Sequence, residues 1–353
     1  MIKRQLLFII LVACILLNVS GYAKEPYRMG TTTAGFLEIG VGGAGIAMGD
    51  AYVAAAEDMS AIYWNPAGLA LMEKNEAMFM YQPWLVDVSS MFAGAGLYIP
   101  RIGTLAIGLA GLNYGNIDVT TLEYQMGTGE QYTAYDYNLN LSYARSLVDW
   151  FAFGASFKYV TSKIWHSNAS AMAVDLGVLV QTPFFSPTAR EEDGMRIGMS
   201  ISNYGGRMRY DGYDLLFPTD MAPEQDGNYQ NLQAKYKMAD WELPLLFRVG
   251  LAFHPLVLGN QRLTVEVDAL HPNNMSEYVN VGGEYNFMLA GFGDLFLRAG
   301  YKGLFMVDSN YGPTFGGGIK YYLSPTLAVR IDYAYRTIGA LGDVHATSFN
   351  ISF

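Results

Sequence analysis

The side chains able to do chemistry are few and widely spaced. The four histidines, His166, His254, His271 and His345, share no metal-ligand spacing, neither that of a zinc helix nor that of a finger. No G-x-S-x-G elbow occurs. A serine and a histidine brought together from separate strands would leave no trace in spacing. The lone cysteine, Cys14, ends Leu11-Val12-Ala13-Cys14, which has the form of a lipoprotein cleavage box. The apolar run continues past Cys14, so cleavage there would leave a greasy segment on the product. Gly40, Gly42 and Gly45 have the spacing of a dinucleotide-binding loop. That fingerprint needs an acidic residue about 20 positions on, and Asn65 stands there instead. No catalytic residue, metal or cofactor is therefore expected. The small residues of this stretch suit close backbone packing instead.

The elements that hold these residues are legible at the two ends of the chain. His345 to Phe353 alternates: Thr347, Phe349, Ile351 and Phe353 fall on one face with His345, and Ala346, Ser348, Asn350 and Ser352 on the other. Termini fray unless tied down, so a strand with an aromatic end suits either the closing strand of a barrel or the last strand of a soluble sandwich. At the other end, Lys3 and Arg4 precede an apolar run from Leu6 to Leu17, and Gly21 and Ala23 fit a small-residue cleavage site. Residues 1–23 are expected to be a signal peptide, the run being too short to anchor. Its removal would take away the only cysteine, and with it any disulfide or thiol nucleophile.

Composition narrows the class. The net charge is −10, which argues against a nucleic-acid partner. Apolar residues make up 51% and charged ones 15%, below the roughly 25% of soluble domains. With no further run long enough for a membrane helix, so apolar a chain satisfies its backbone in lipid only as a closed barrel. The 26 tyrosines fit the aromatic girdles at the two interfaces.

From Ala77 onward the alternation recurs. Val329, Ile331, Tyr333 and Tyr335 oppose Ala328, Arg330, Asp332, Ala334 and Arg336. Fourteen strands are expected, near 77–84, 89–100, 103–114, 133–146, 150–164, 170–182, 195–204, 245–255, 261–271, 277–288, 293–304, 312–322, 326–336 and 345–353. An even number returns both ends to the periplasm, with short turns there and longer loops outside. Pro183 to Gly194 is the one long periplasmic link, and Pro83 blurs the first strand. The inward face would carry Lys158, Arg196, Arg248, Arg298, Lys302, Lys320 and Arg330, with Asp136, Asp175, Glu266, Asp268, Glu284 and Asp332. Buried charges need partners, so a salt-bridge network is expected there. The outer loop Gly205 to Leu243 is long enough to be functional, with a solvated, poorly ordered loop as the default. Ile46 to Ala56 is expected to hold a short helix, and Asn65-Pro66-Ala67-Gly68 a turn.

One stretch carries a family resemblance. Gly45-Ile46-Ala47-Met48-Gly49-Asp50-Ala51-Tyr52-Val53-Ala54, then Asp58, then Ala61-Ile62-Tyr63-Trp64-Asn65-Pro66-Ala67-Gly68-Leu69, resembles the start of the PorV/PorQ family, related to the FadL hydrophobe transporters. Asp50 departs from it, since relatives more often carry glycine there. The resemblance implies a 14-stranded antiparallel outer-membrane β-barrel at 77–353 with an N-terminal hatch at 24–76. It implies hatch-motif roles for Gly42, Gly45, Gly49, Asn65, Pro66, Ala67 and Gly68. Phe349, Ile351 and Phe353 would be read by the outer-membrane assembly machinery. It also implies contact with outer-membrane lipid and passage of a fatty-acid-like hydrophobic small molecule. The alternative role is in a type IX-like secretion system, through binding of secretion-system proteins. No enzymatic activity is expected.

Overall fold

The computed structural model describes residues 28–225 and 231–353. The expected signal peptide, with Cys14, lies outside them. Fourteen long strands follow one another: β1 Glu76–Pro83, β2 Ser89–Ile99, β3 Gly103–Asp118, β4 Gln131–Val148, β5 Phe151–Ile164, β6 Ser167–Gln181 and β7 Arg196–Gly205, then β8 Leu246–Leu258, β9 Gln261–Pro272, β10 Tyr278–Leu289, β11 Gly293–Leu304, β12 Pro313–Tyr322, β13 Ala328–Thr337 and β14 Asp343–Ser352. Each pairs antiparallel with its sequence neighbours, and β14 pairs with β1 from Glu76↔Ser352 to Tyr81↔Thr347. The ring is closed, so every strand edge is satisfied, as hydrocarbon demands.

The alternation sorts the side chains as expected. Phe349 and Ile331 point outward and are exposed, whereas Ser348 and Asp332 point inward and are buried. His345 faces out, and its Nδ1 lies 2.6 Å from the Tyr333 hydroxyl. Pro83 ends β1, where its missing N–H costs least. The link 182–195 is not loose. Its 3₁₀ turn Glu191–Asp193 is held by Arg190 at 2.8 Å from Asp193, and by Arg262 donating to the Glu192 carbonyl at 2.9 Å.

The core lies inside the ring and comes from the N-terminal segment. Ile46, Met48, Met59, Ile62, Trp64 and Leu69 are among its buried side chains, packed against Met80 and Phe92 of the wall. The expected helix over 46–56 is corrected. α1 is Gly43–Ala47 only, and the chain then turns with Gly49 and Asp50 both at positive φ. An extra turn, α2 Ala61–Trp64, precedes a 3₁₀ helix Pro66–Leu71. The segment enters at the outer end, where the Thr33 N–H donates to the Glu242 carbonyl at 2.9 Å. It leaves at the periplasmic end, where Lys74 donates to the Pro325 carbonyl at 2.8 Å.

The long outer loop is also corrected from its default: its described residues are folded. Leu216–Thr219 pairs with Leu232–Lys235, Asp211–Gly212 adds to the outer end of β6, and Met208 bridges Trp241.

Candidate functional site

The site with the densest chemistry is the surface between the N-terminal segment and the inner wall. Asn65 sits at its centre. Its Nδ2 donates to the carbonyls of Val53 and of Val178 on β6, both at 3.0 Å, while its Oδ1 accepts from the Ala67 N–H at 3.1 Å. One amide therefore caps the 3₁₀ helix, joins two parts of the segment and ties both to the barrel. Pro66 fixes the first turn of that helix. Gly68 donates to the Asn65 carbonyl at 2.9 Å. Ala67 packs beside Ala152 and Leu179 of the wall. Gly42 donates its N–H to the Met80 sulfur at 3.0 Å. Gly45 lies under the Trp64 ring, whose Nε1 donates to the Val41 carbonyl at 2.8 Å. Gly49 has φ +71°, and a Cβ there would stand 2.6 Å from the Tyr301 nitrogen on β11. Only glycine meets both conditions.

Charges complete the contact. Asp50 meets Lys302 at 2.6 Å and Arg336 at 3.0 Å. Arg330 spans Asp332 at 2.8 Å and Asp58 at 3.2 Å, and Arg196 meets Glu57 at 2.9 Å. Two carboxylates on β9 clamp four successive amides. Asp268 accepts from Tyr52 at 2.9 Å and Val53 at 3.2 Å, and Glu266 from Ala54 at 2.6 Å and Ala55 at 3.0 Å. Within the wall, Lys158 pairs with Asp175 at 2.5 Å, and Arg298 joins Glu284 at 2.6 Å and Asp332 at 2.8 Å. Of the expected lumen charges, Arg196, Lys302, Arg330, Glu266 and Asp268 bind the segment, and Arg248 lies over the Tyr63 ring at 5.2 Å. Lys320 instead lies 5.4 Å from the Tyr322 ring, and Asp136 accepts from Tyr114 at 2.7 Å.

The sequence reading missed Glu57, Asp58 and Arg336 as partners, and the amide clamp. A signal for the clamp exists: two acids two apart on an inward face need donors, and the segment's amides are the nearest ones. Phe349, Ile351 and Phe353 lie outside this site, on the outer wall at the closing seam.

A second feature lies at the outer rim. A cavity of about 470 Å³ opens between the ends of β3 to β6 and the long loop, lined by Val119, Tyr132, Ile164, Trp165, Tyr210 and Leu215. Asp214 pins its edge, accepting from the His166 backbone at 3.0 Å and its Nδ1 nitrogen at 2.9 Å. Around it, Leu122 and Met126 of the neighbouring loop are 95% and 97% exposed, far beyond what packing requires.

The fold has solved counterparts. The P. putida toluene transporter TodX matches at TM-score 0.53 and 11% identity, over 89% of this chain and 96% of that one. A Pseudomonas aeruginosa FadL homologue matches at 0.50 and 12%, over 93% and 99%. The Ralstonia pickettii toluene transporter TbuX matches at 0.50 and 13%, over 89% and 97%. At such identities the likeness is one of fold. No curated protein matches the sequence. Residues 22–238, more than half the chain, match the family described as type IX secretion system protein PorV. The chain therefore belongs to the PorV family, as a β-barrel of the bacterial outer membrane.

Proposed function

We propose that this barrel serves protein secretion, as an outer-membrane component that binds secretion partners or exported proteins at its outer face. The observation behind this is the filled lumen. The N-terminal segment bonds to β1, β6, β7, β9, β11, β12, β13 and β14, through Met80, Val178, Ser200, Asp268, Lys302, Thr314, Arg330 and Ser348. A conduit needs its plug to move, and this one is held by buried charge pairs whose rupture is costly. The outer face is the opposite case: a folded loop and unpacked apolar side chains, the usual marks of an interaction surface. The two expectations from sequence thus change order, with secretion ahead of passage of a hydrophobic molecule.

One observation favours the transport reading. The aromatic rim cavity has the size and lining of a small-molecule site. A strain lacking the gene separates the two. Loss of surface delivery of secreted proteins, with fatty-acid and toluene uptake unchanged, supports the secretion role. Normal secretion with impaired uptake overturns it.

A further inference from the structure

β12 contains three successive glycines, and they do not share one explanation. At Gly316 a Cβ would overlap the Tyr333 carbonyl and Ala47 of the N-terminal segment. At Gly318 it would overlap the Asp332 carboxylate, partner of Arg298. Both glycines make room inside the barrel. Gly317, between them, faces outward, and its Cβ would meet only the Phe296 carbonyl, at 3.2 Å. Its φ is not in the left-handed region, and the register with β11 and β13 is unbroken around it. Neither a left-handed backbone nor a bulge accounts for it. A Cβ would need only a small shift of that carbonyl, so the glycine leaves an outward notch beside the β11 backbone.

The space left by the missing side chain is real. A groove of about 790 Å³ runs over Gly317, walled by Leu295, Leu297, Ile319, Tyr321, Ile331 and Tyr333. Gly317 pairs with Leu297 on one side and Tyr333 on the other, so the notch is one strand wide. By contrast, outward-facing Gly111 is covered by the Tyr137 ring, 2.7 Å from where its Cβ would be. The groove's depth follows from the strands. Leu295 is the third residue of β11 and Tyr321 the next to last of β12, both at the periplasmic end. The groove therefore faces the hydrocarbon of the periplasmic leaflet.

We propose that this groove is a binding site for one acyl chain of a glycerophospholipid from the periplasmic leaflet. Its width argues for a single hydrocarbon chain. The backbones of β11 and β13 stand about 10 Å apart, two strand spacings. Side chains narrow that further, so a partner helix of about 10–12 Å diameter does not seat in it. Its lining carries no charged side chain, which fits a chain and not a headgroup.

Native mass spectrometry of the whole barrel, extracted from its own membrane in mild detergent, tests this. Wild type should retain one phospholipid. Gly317→Leu, which fills the notch, should lower that occupancy by roughly tenfold. Ala95→Leu, adding similar bulk to the outward face of β2, should leave it unchanged. Equal retention by both variants overturns the proposal, as does wild type carrying no lipid or only lipopolysaccharide. Wild type also gives a test independent of folding of the variant. A phospholipid with a photoreactive acyl chain should label Leu297 or Tyr333 ahead of Ala95. Even labelling around the barrel, or a protein cross-linked at this face in its place, overturns it.

Discussion

Asp50 Oδ2 lies 2.6 Å from Lys302 Nζ, with both side chains almost closed to solvent. The same oxygen accepts from Arg336 at 3.0 Å. Asp50 also sits at φ +61°, where glycine is easiest and aspartate or asparagine tolerated. The carboxylate keeps the turn and adds an anchor.

Asp50→Asn tests the anchor without straining the turn. It leaves two buried cations without their anion, a loss of about 3–5 kcal/mol for a fully buried pair. Limited proteolysis should then cut within residues 28–75 faster while the barrel stays folded. An Asp50→Asn segment cleaved no faster than the wild-type one would refute the assignment.

Asn65→Ala removes three hydrogen bonds, each worth about 1 kcal/mol net. The expected result is a folded barrel whose N-terminal segment is loosened, seen as raised entry of large antibiotics. A variant as impermeable as wild type would show that Asn65 does not hold the segment.

Much of the barrel was legible because strand alternation and turn chemistry are local. Each of the fourteen expected strands overlaps an observed one, including β1 despite Pro83. The long loop was less so, because its hairpin pairs two strands of only four residues each, 216–219 and 232–235, too short for alternation to show. The lumen was half legible. Inward charges were visible on the strands, but their partners in the segment come from far along the chain, as Asp50 does for Lys302. Inward-facing glycines were the unread signal. At Gly177 a Cβ would overlap Asn65, and at Gly300 it would overlap Met48, so the wall's glycines trace the path of the segment. Outward Gly317 shows why glycine position alone does not suffice: the face must be known first.

Register and depth can be tested together on β13. Ile331 faces outward nearer the midplane, and Ile331→Arg should impair assembly at a cost of roughly 2–4 kcal/mol. Val329 also faces outward, but it is the second residue of its strand, so Val329→Arg should cost less. Ala328 is buried on the inner side, where an added arginine meets packing instead of hydrocarbon. Heat-modifiable gel shifts and urea titrations rank the three. Val329→Arg exceeding Ile331→Arg would mean the depth is misplaced.

The seam closes at Phe353. Its N–H donates to the Asn75 carbonyl at 2.9 Å, and the Asn75 N–H returns to the Phe353 carbonyl at 3.1 Å. This pair continues the β1–β14 ladder one residue beyond Glu76↔Ser352. In a soluble sheet, losing one terminal residue would usually cost less than about 1 kcal/mol, because ends fray. Here the loss opens the last rung of the seam and removes the outward aromatic expected to be read during assembly. Deletion of Phe353 should therefore act on assembly more than on stability. Unfolded protein should collect in the periplasm and the heat-modifiable band should disappear, while whatever protein does insert should melt close to wild type. Normal amounts of membrane-embedded barrel after the deletion would refute the assembly role. A lowered melting point with normal insertion would place the whole effect in the seam.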